Sequence, residues 1–270
     1  MKKHLSTILL VLLFFVGLSV VLYPTVSDWW NQRHASRAIA GYDETAQSLT
    51  PENTDACFAA ADDYNARLAA DPDAFYDPEK ITGYEDTLNI SGTGIMGYIT
   101  IDKINVQLPI YHGTSDSVLQ VGVGHLEGTS LPVGGASTHC VLSAHRGLPS
   151  AVLFTNLDRL EAGDTFTVTV LDRLLTYEVD QISIVLPEQV QDLIITDGQD
   201  YMTLMTCTPY GINTHRLLVR GRRVENAAEK HINVTPDATR IDPMLVDPVV
   251  ALPILLLLLT VLLVRFRKRR

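Results

Sequence analysis

Residues 201–221 read YMTLMTCTPYGINTHRLLVRG. Two runs rich in apolar and β-branched residues flank a segment containing Pro209, Gly211 and Asn213, the residue types that punctuate turns. The pattern predicts a hairpin in which a strand ending at Cys207 returns through a strand starting at Arg216. Side chains alternate along a strand, so Thr203, Met205 and Cys207 share one face, and Arg216, Leu218 and Arg220 share one face of the return strand. Cys207 and Arg216 can therefore lie on the same side of the sheet.

Working outward, similar short runs recur: IMGYITI (95–101), VQLPIYH (106–112), THCVLSAH (138–145), DTFTVTVL (164–171), LLTYEVDQISIVL (174–186) and RLLVRGRRV (216–224). Each is bounded by Gly, Pro, Asn or Asp, the pattern of an antiparallel barrel or sandwich. We expect a closed β-barrel of roughly 130 residues over 95–224. Ahead of it, 31–70 is rich in Ala, Asp, Glu, Asn and Arg, with sparse apolar positions, and reads as amphipathic helices broken near Thr50-Pro51. There Thr can cap and Pro can open a new helix. Residues 71–94 hold Asp71-Pro72, Asp77-Pro78, Gly83 and an SGTG stretch, which together predict a loop.

The two ends are of another kind. Leu5 to Tyr23 is an uncharged run of 19 residues, long enough to cross a bilayer. The segment after it offers no small-residue cleavage pattern, which favours an uncleaved anchor over a signal peptide. The domain boundaries are then 1–30 for a cytoplasmic tip and N-terminal anchor, 31–70, 71–94, 95–224, 225–246 for a linker, 247–264 for a second span and 265–270 for a basic tail. Lys2 and Lys3 at one end and the cations of RFRKRR at the other place both termini in the cytoplasm and the remainder outside. Trp29 and Trp30 suit the membrane interface, or else the core side of the first helix.

The chain carries 21 Lys and Arg, 31 Asp and Glu, and a formal charge of −10. The two ends hold seven of the cations and none of the acids, which leaves 14 against 31, or −17, on the external part. Such a surface repels phosphate backbones and argues against nucleic acid. Three cysteines in an exported chain make no disulfide framework, so a free thiol becomes the feature to explain.

A guanidinium near Cys207 would favour the nucleophilic thiolate and could stabilise an oxyanion in acyl transfer. In THCVLSAHRGLP (138–149), alternation sets His139, Val141, Ser143 and His145 on one face and Cys140, Leu142 and Ala144 on the other. His145 stands at the strand exit, where an imidazole can exchange protons with a leaving amine and an incoming nucleophile. Cys140 reads as a buried strand cysteine and Cys57 as packed in a helix. His112 and His125, beside glycines, read as groove-lining or surface residues, and His215 points away from Arg216.

TLMTC at Thr203–Cys207, followed after an eight-residue loop by Arg216, resembles the signature of sortases, and His145 in AHRG matches that family's histidine. IMGYITI, LPIYHGTSDSVLQVGVGHLEGTSLPVGG and TCTPYGINTHRLLVRG are similar to the class C branch, over roughly 94–223. The resemblance implies a closed eight-stranded sortase-type barrel with N-terminal helices, a lid loop and two terminal transmembrane helices. It implies Cys207 as nucleophile, His145 as general acid and base, Arg216 as oxyanion stabiliser, and no cofactor or metal. The partners it implies are secreted pilin subunits bearing LPxTG-like signals, an acceptor pilin lysine and the lipid bilayer. The family's lid carries Asp-Pro-aromatic. Here Glu79 follows Asp77-Pro78, so Asp77 is expected to pair with Arg216 while Phe75 or Tyr76 covers Cys207. Asp102, where the family commonly has proline, is a second departure.

Other functions fit less well. A papain-like hydrolase has its Cys first, whereas here His145 precedes Cys207. A metal module would draw on His139, Cys140, His145, Cys207 and His215, which lack paired-ligand spacing. A sorting-signal substrate would need LPxTG ahead of its apolar tail, and Leu252-Pro253 lies inside that run. A sortase that attaches proteins to peptidoglycan shares the same three residues and is the closest alternative.

Overall fold

The structure is a computed structural model that describes the backbone of residues 2–226, with side chains from residue 11 onward. The expected linker beyond 226, the second span at 247–264 and the tail at 265–270 lie outside the described residues. Asp28–Ala228 forms one compact unit, and Met1–Ser27 falls outside it.

Helix α1 (Lys2–Gln47) begins in the apolar run, and Leu12, Leu13, Phe15, Val16, Val20 and Val21 are all exposed. Among the described residues this is the one helix long and apolar enough to cross a membrane. Trp29 and Trp30 are exposed rather than part of the core. From Asp28 on, one face turns inward: Ala35, Ile39 and Tyr42 are buried at near-helical spacing. The Tyr42 hydroxyl donates to Met96 O (2.8 Å) and accepts from Leu171 N (2.9 Å), fastening the helix to the barrel. Helix α2 (Pro51–Ala70) opens with Thr50 as N-cap, whose hydroxyl accepts from Asn53 N, and Pro51 in the first turn. It buries Phe58, Ala61, Tyr64 and Leu68. Asn65 clamps it to the loop at residues 126–137, accepting from Leu131 N (2.7 Å) and donating to Leu131 O (3.3 Å).

Eight strands form the barrel: β1 (Ile95–Ile101), β2 (Val106–His112), β3 (Val123–His125), β4 (Thr138–Ser143), β5 (Thr165–Val170), β6 (Arg173–Val185), β7 (Asp200–Thr208) and β8 (His215–Val224). They close in the order β1-β2-β3-β4-β7-β8-β6-β5. The barrel is mixed rather than antiparallel, because β2–β3 and β4–β7 pair in parallel. Parallel neighbours need a crossover, and β5 and β6 supply it between β4 and β7. Strand β3 does not stand out in the sequence. It is three residues long, and a Cβ on Gly124 would collide with Gly113 O, so this position accepts glycine alone.

The sheet β4-β7-β8 has two unlike faces. Cys140, Leu142, Met202, Leu204, Leu217 and Val219 belong to the main core. The opposite face carries a smaller apolar group of Val141, Leu193 and Leu218, joined by half-buried Phe75, Leu126, Val185, Val190 and Met205.

Candidate functional site

The site begins with register. In the β7–β8 ladder Cys207 pairs directly with Arg216, and Met205 with Leu218. In the parallel β4–β7 ladder Ser143 pairs with Met205. The contact runs on past the ladder, for Ala144 N donates to Met205 O (3.2 Å) and the Thr206 hydroxyl donates to Ala144 O (2.8 Å). The ladder itself ends at Ser143, and its register carried on by two residues sets position 145 level with position 207. Thus Cys207, Arg216 and His145 collect at one end of three adjacent strands, and all three are half-buried.

The Arg216 guanidinium donates through one nitrogen to the Asn213 (3.3 Å) and His215 (3.2 Å) carbonyls of the hairpin loop. Its other donors have no protein partner among the described residues. Next to His145, Arg146 ties the two strand ends together. It donates to Asp158 (2.5 Å) and to the Thr208 hydroxyl (3.4 Å), with its guanidinium 6.0 Å from the centre of the Tyr210 ring. Tyr210 and Ile212, at the hairpin tip, are exposed.

The remaining thiols are different. Cys140 is buried on the core face, and burial pushes its pKa well up, which disfavours the thiolate. Cys57 is packed against the same core. His112 and His125 are also buried rather than at the surface, and neither is among the residues that line the groove described below. The His112 ring lies between Gly94 O and Thr87 O, and His125 lies between the Tyr84 hydroxyl and Ser130 O. The glycine neighbours read as loop markers, whereas both histidines lie in strands, His112 closing β2 and His125 closing β3. Burial lowers the His125 pKa to about 4.

At the far end of the same face, His139 is fully engaged. It accepts from the Thr203 hydroxyl (2.8 Å) and donates to Ile194 O (3.1 Å), and burial lowers its pKa to about 4. Leu68, Pro72, Phe75, Thr129, His139 and Ile194 line a groove of about 470 Å³ there. Phe75, in the turn Pro72–Phe75, reaches the apolar group that contains Met205 and Leu218. Tyr76 is exposed, and no ion pair joins Asp77 to Arg216 among the described residues. Among those residues, too, no cluster of side chains suits a metal ion.

A closed mixed barrel that carries a thiol, a guanidinium and an imidazole toward one end of three neighbouring strands suits a cysteine-based site, and comparison with known proteins makes this specific. The sortase domain matches residues 99–224. Sortase C1 of Streptococcus agalactiae is 48% identical, with 71% of this chain and 100% of that one covered and a TM-score of 0.65. Sortase C of Streptococcus pneumoniae is 43% identical over 72% of this chain and 99% of that one, with a TM-score of 0.64. Sortase A of Streptococcus agalactiae serotype III is 32% identical over 117 residues, which is 42% of this chain. The chain spans about half the length of that relative, 47%. The chain belongs to the sortase family of cysteine transpeptidases, in its class C branch.

Proposed function

We propose that this protein cleaves an LPxTG-like sorting signal on secreted pilins and joins the pilins through isopeptide bonds. The observation that carries the reading is the direct pairing of Cys207 with Arg216, with His145 two residues past the end of the neighbouring strand β4. In the first half-reaction the Cys207 sulfur attacks the Thr carbonyl carbon of the signal. The Thr–Gly bond breaks, His145 gives a proton to the departing glycine nitrogen, and a thioester remains. In the second, a pilin lysine amine passes a proton to His145 and attacks the thioester. The carbon–sulfur bond breaks, and an isopeptide forms as the thiolate is released. Arg216 stabilises the oxyanion in both steps, using the donors that the hairpin carbonyls leave available. No metal or organic cofactor enters this chemistry.

Residues 71–94 act as a lid in this reading. Phe75 belongs to the apolar group that includes Met205 and Leu218, each two positions from Cys207 or Arg216, and the Pro78 ring lies close to Gly128. An extended peptide that used the same floor would have to displace Phe75. The apolar start of α1 serves as a membrane anchor, with the N-terminus in the cytoplasm because Lys2 and Lys3 precede it. The catalytic barrel then lies on the extracellular face.

The test is to incubate the full chain with a sorting-signal peptide and search for an acyl adduct by mass spectrometry. The wild type should trap one on Cys207 and Cys207→Ala should trap none; an adduct that survives the substitution overturns the reading. Adding either a lysine peptide or a peptidoglycan-type amine then separates pilin polymerisation from attachment to the wall.

A further inference from the structure

The stretch that starts at His145 is a closed loop. His145 O accepts from Phe154 N (3.2 Å), and Gly147 N donates to the Thr155 hydroxyl (3.1 Å), so its neck is bonded twice. Its tip is fastened elsewhere: Asn31 Nδ2 donates to Ser150 O (2.8 Å), and Val152 N donates to Asp28 Oδ1 (2.8 Å). Both fasteners come from α1. Asp28 is 8% exposed, and its other oxygen accepts from Gln32 Nε2 (2.7 Å), so this buried carboxylate has partners on both oxygens. Farther along α1, Ala35, Ile39 and Tyr42 hold the helix on the barrel, so it cannot turn without uncovering that face.

His145 itself is held in a different way. Its ring has no hydrogen-bond partner among the described residues, unlike the rings of His112, His125 and His139. No neighbouring carboxylate or carbonyl aims the imidazole, so its direction follows from the backbone on which it stands. That backbone is the first residue of the loop gripped by Asp28 and Asn31.

We infer that Asp28 and Asn31 are positioning residues for acyl transfer: by fastening Val152 and Ser150 to the anchor helix, they hold the loop that aims His145 at the Cys207–Arg216 pair. This rests on the role given to His145 under Proposed function. Neither residue touches substrate. In sequence they stand just past the apolar run, so the helix that begins as an anchor continues as part of the scaffold of the site.

The experiment measures steady-state transpeptidation by the full chain in detergent micelles, with a sorting-signal peptide and a lysine peptide, across pH. Asp28→Ala with Asn31→Ala should lower kcat about tenfold, leave KM for the sorting peptide within twofold, and displace the pH profile of kcat. Asp28→Asn, which keeps an oxygen acceptor for Val152 N, should recover most of the rate. Asn65→Ala, which breaks two bonds to Leu131 away from this loop, should leave kcat within twofold. If the double variant fails to fold, Asn31→Ala alone should lower kcat about threefold. An unchanged kcat and pH profile, a loss matched by Asn65→Ala, or no recovery in Asp28→Asn overturns the inference. His145→Ala runs alongside. If it keeps its rate, the role of His145 falls; if it alone loses rate, only the inference about Asp28 and Asn31 falls.

Discussion

The two ends of β4 carry the same residue type to opposite purposes. At its start His139 has both ring nitrogens bonded, to Thr203 and Ile194, and burial holds it neutral down to about pH 4. Just past its end His145 is half-buried, with a ring that has no bonded partner among the described residues, at the same end of the sheet as the Cys207–Arg216 pair. A saturated imidazole is a fastener, because each proton it could exchange is already committed; an unsaturated one beside a thiol can work as acid and base. The cysteines repeat the lesson across the sheet rather than along it, with Cys140 sealed in the core and Cys207 on the opposite face.

The hardest blow to this contrast comes from exchanging the cysteines. Cys207→Ala should abolish isopeptide formation, while Cys140→Ala should keep turnover within a few-fold and lower stability by about 1 kcal/mol as a small buried side chain is trimmed. Product analysis and thermal melts read the two. If Cys140→Ala is the inactive variant, the faces have been assigned the wrong way round.

The histidine pair comes next. His145→Ala should cost about a thousandfold in kcat, the scale of a lost general acid and base. His139→Gln should cost stability and little rate. Equal kinetic losses in the two variants would erase the distinction between the ends of β4.

A third measurement uses pH. The folded pKa values of His125 and His139 lie near 4, below the ordinary 6.5, so in that window the unfolded chain binds protons that the folded chain does not. Their contribution to stability is therefore complete above pH 6.5 and is lost as the pH falls toward 4. At 1.36 kcal/mol per pKa unit, each should contribute about 2 kcal/mol of acid destabilisation between pH 7 and pH 5. Asp200 works in the opposite sense, because burial raises its pKa. The useful reading is thus the difference in slope between the wild type and His139→Gln in urea titrations at the two pH values. The variant should show the shallower loss, and identical slopes would mean that His139 titrates normally.

The smallest effect concerns the lid. Phe75→Ala should speed iodoacetamide labelling of Cys207 by about two- to tenfold, as an aromatic ring leaves the shared apolar floor. A rate unaffected by that change, and by Asp77 and Tyr76 replaced together, would mean that residues 71–94 do not guard the thiol.

Much of this arrangement is legible in the sequence, for a specific reason. Alternation assigns faces, and it put Cys207 with Arg216 and separated His145 from Cys140 without knowledge of the strand order. It says nothing about which strands become neighbours. The parallel β4–β7 pairing depends on the path of β5 and β6 around the barrel, and β3 is too short to show a period. Burial of His112 and His125 was equally hidden, since their partners are carbonyls and a tyrosine hydroxyl supplied by distant segments. The Asp77–Arg216 pairing was carried over from a motif whose aromatic position is altered here, and the guanidinium instead meets two carbonyls of its own hairpin.

The one-to-one pairing of residues 207 and 216 makes the chemistry a matter of parity. An odd number of residues inserted into β7 ahead of the thiol would trade odd positions for even, send the sulfur toward Leu204 and Met202, and present a threonine hydroxyl at the rim. An even number would keep the sulfur on its side and move it along the strand, away from its cation. Length in this strand is thus constrained as tightly as residue identity, whereas the hairpin beyond it can vary in length so long as its two ends still meet.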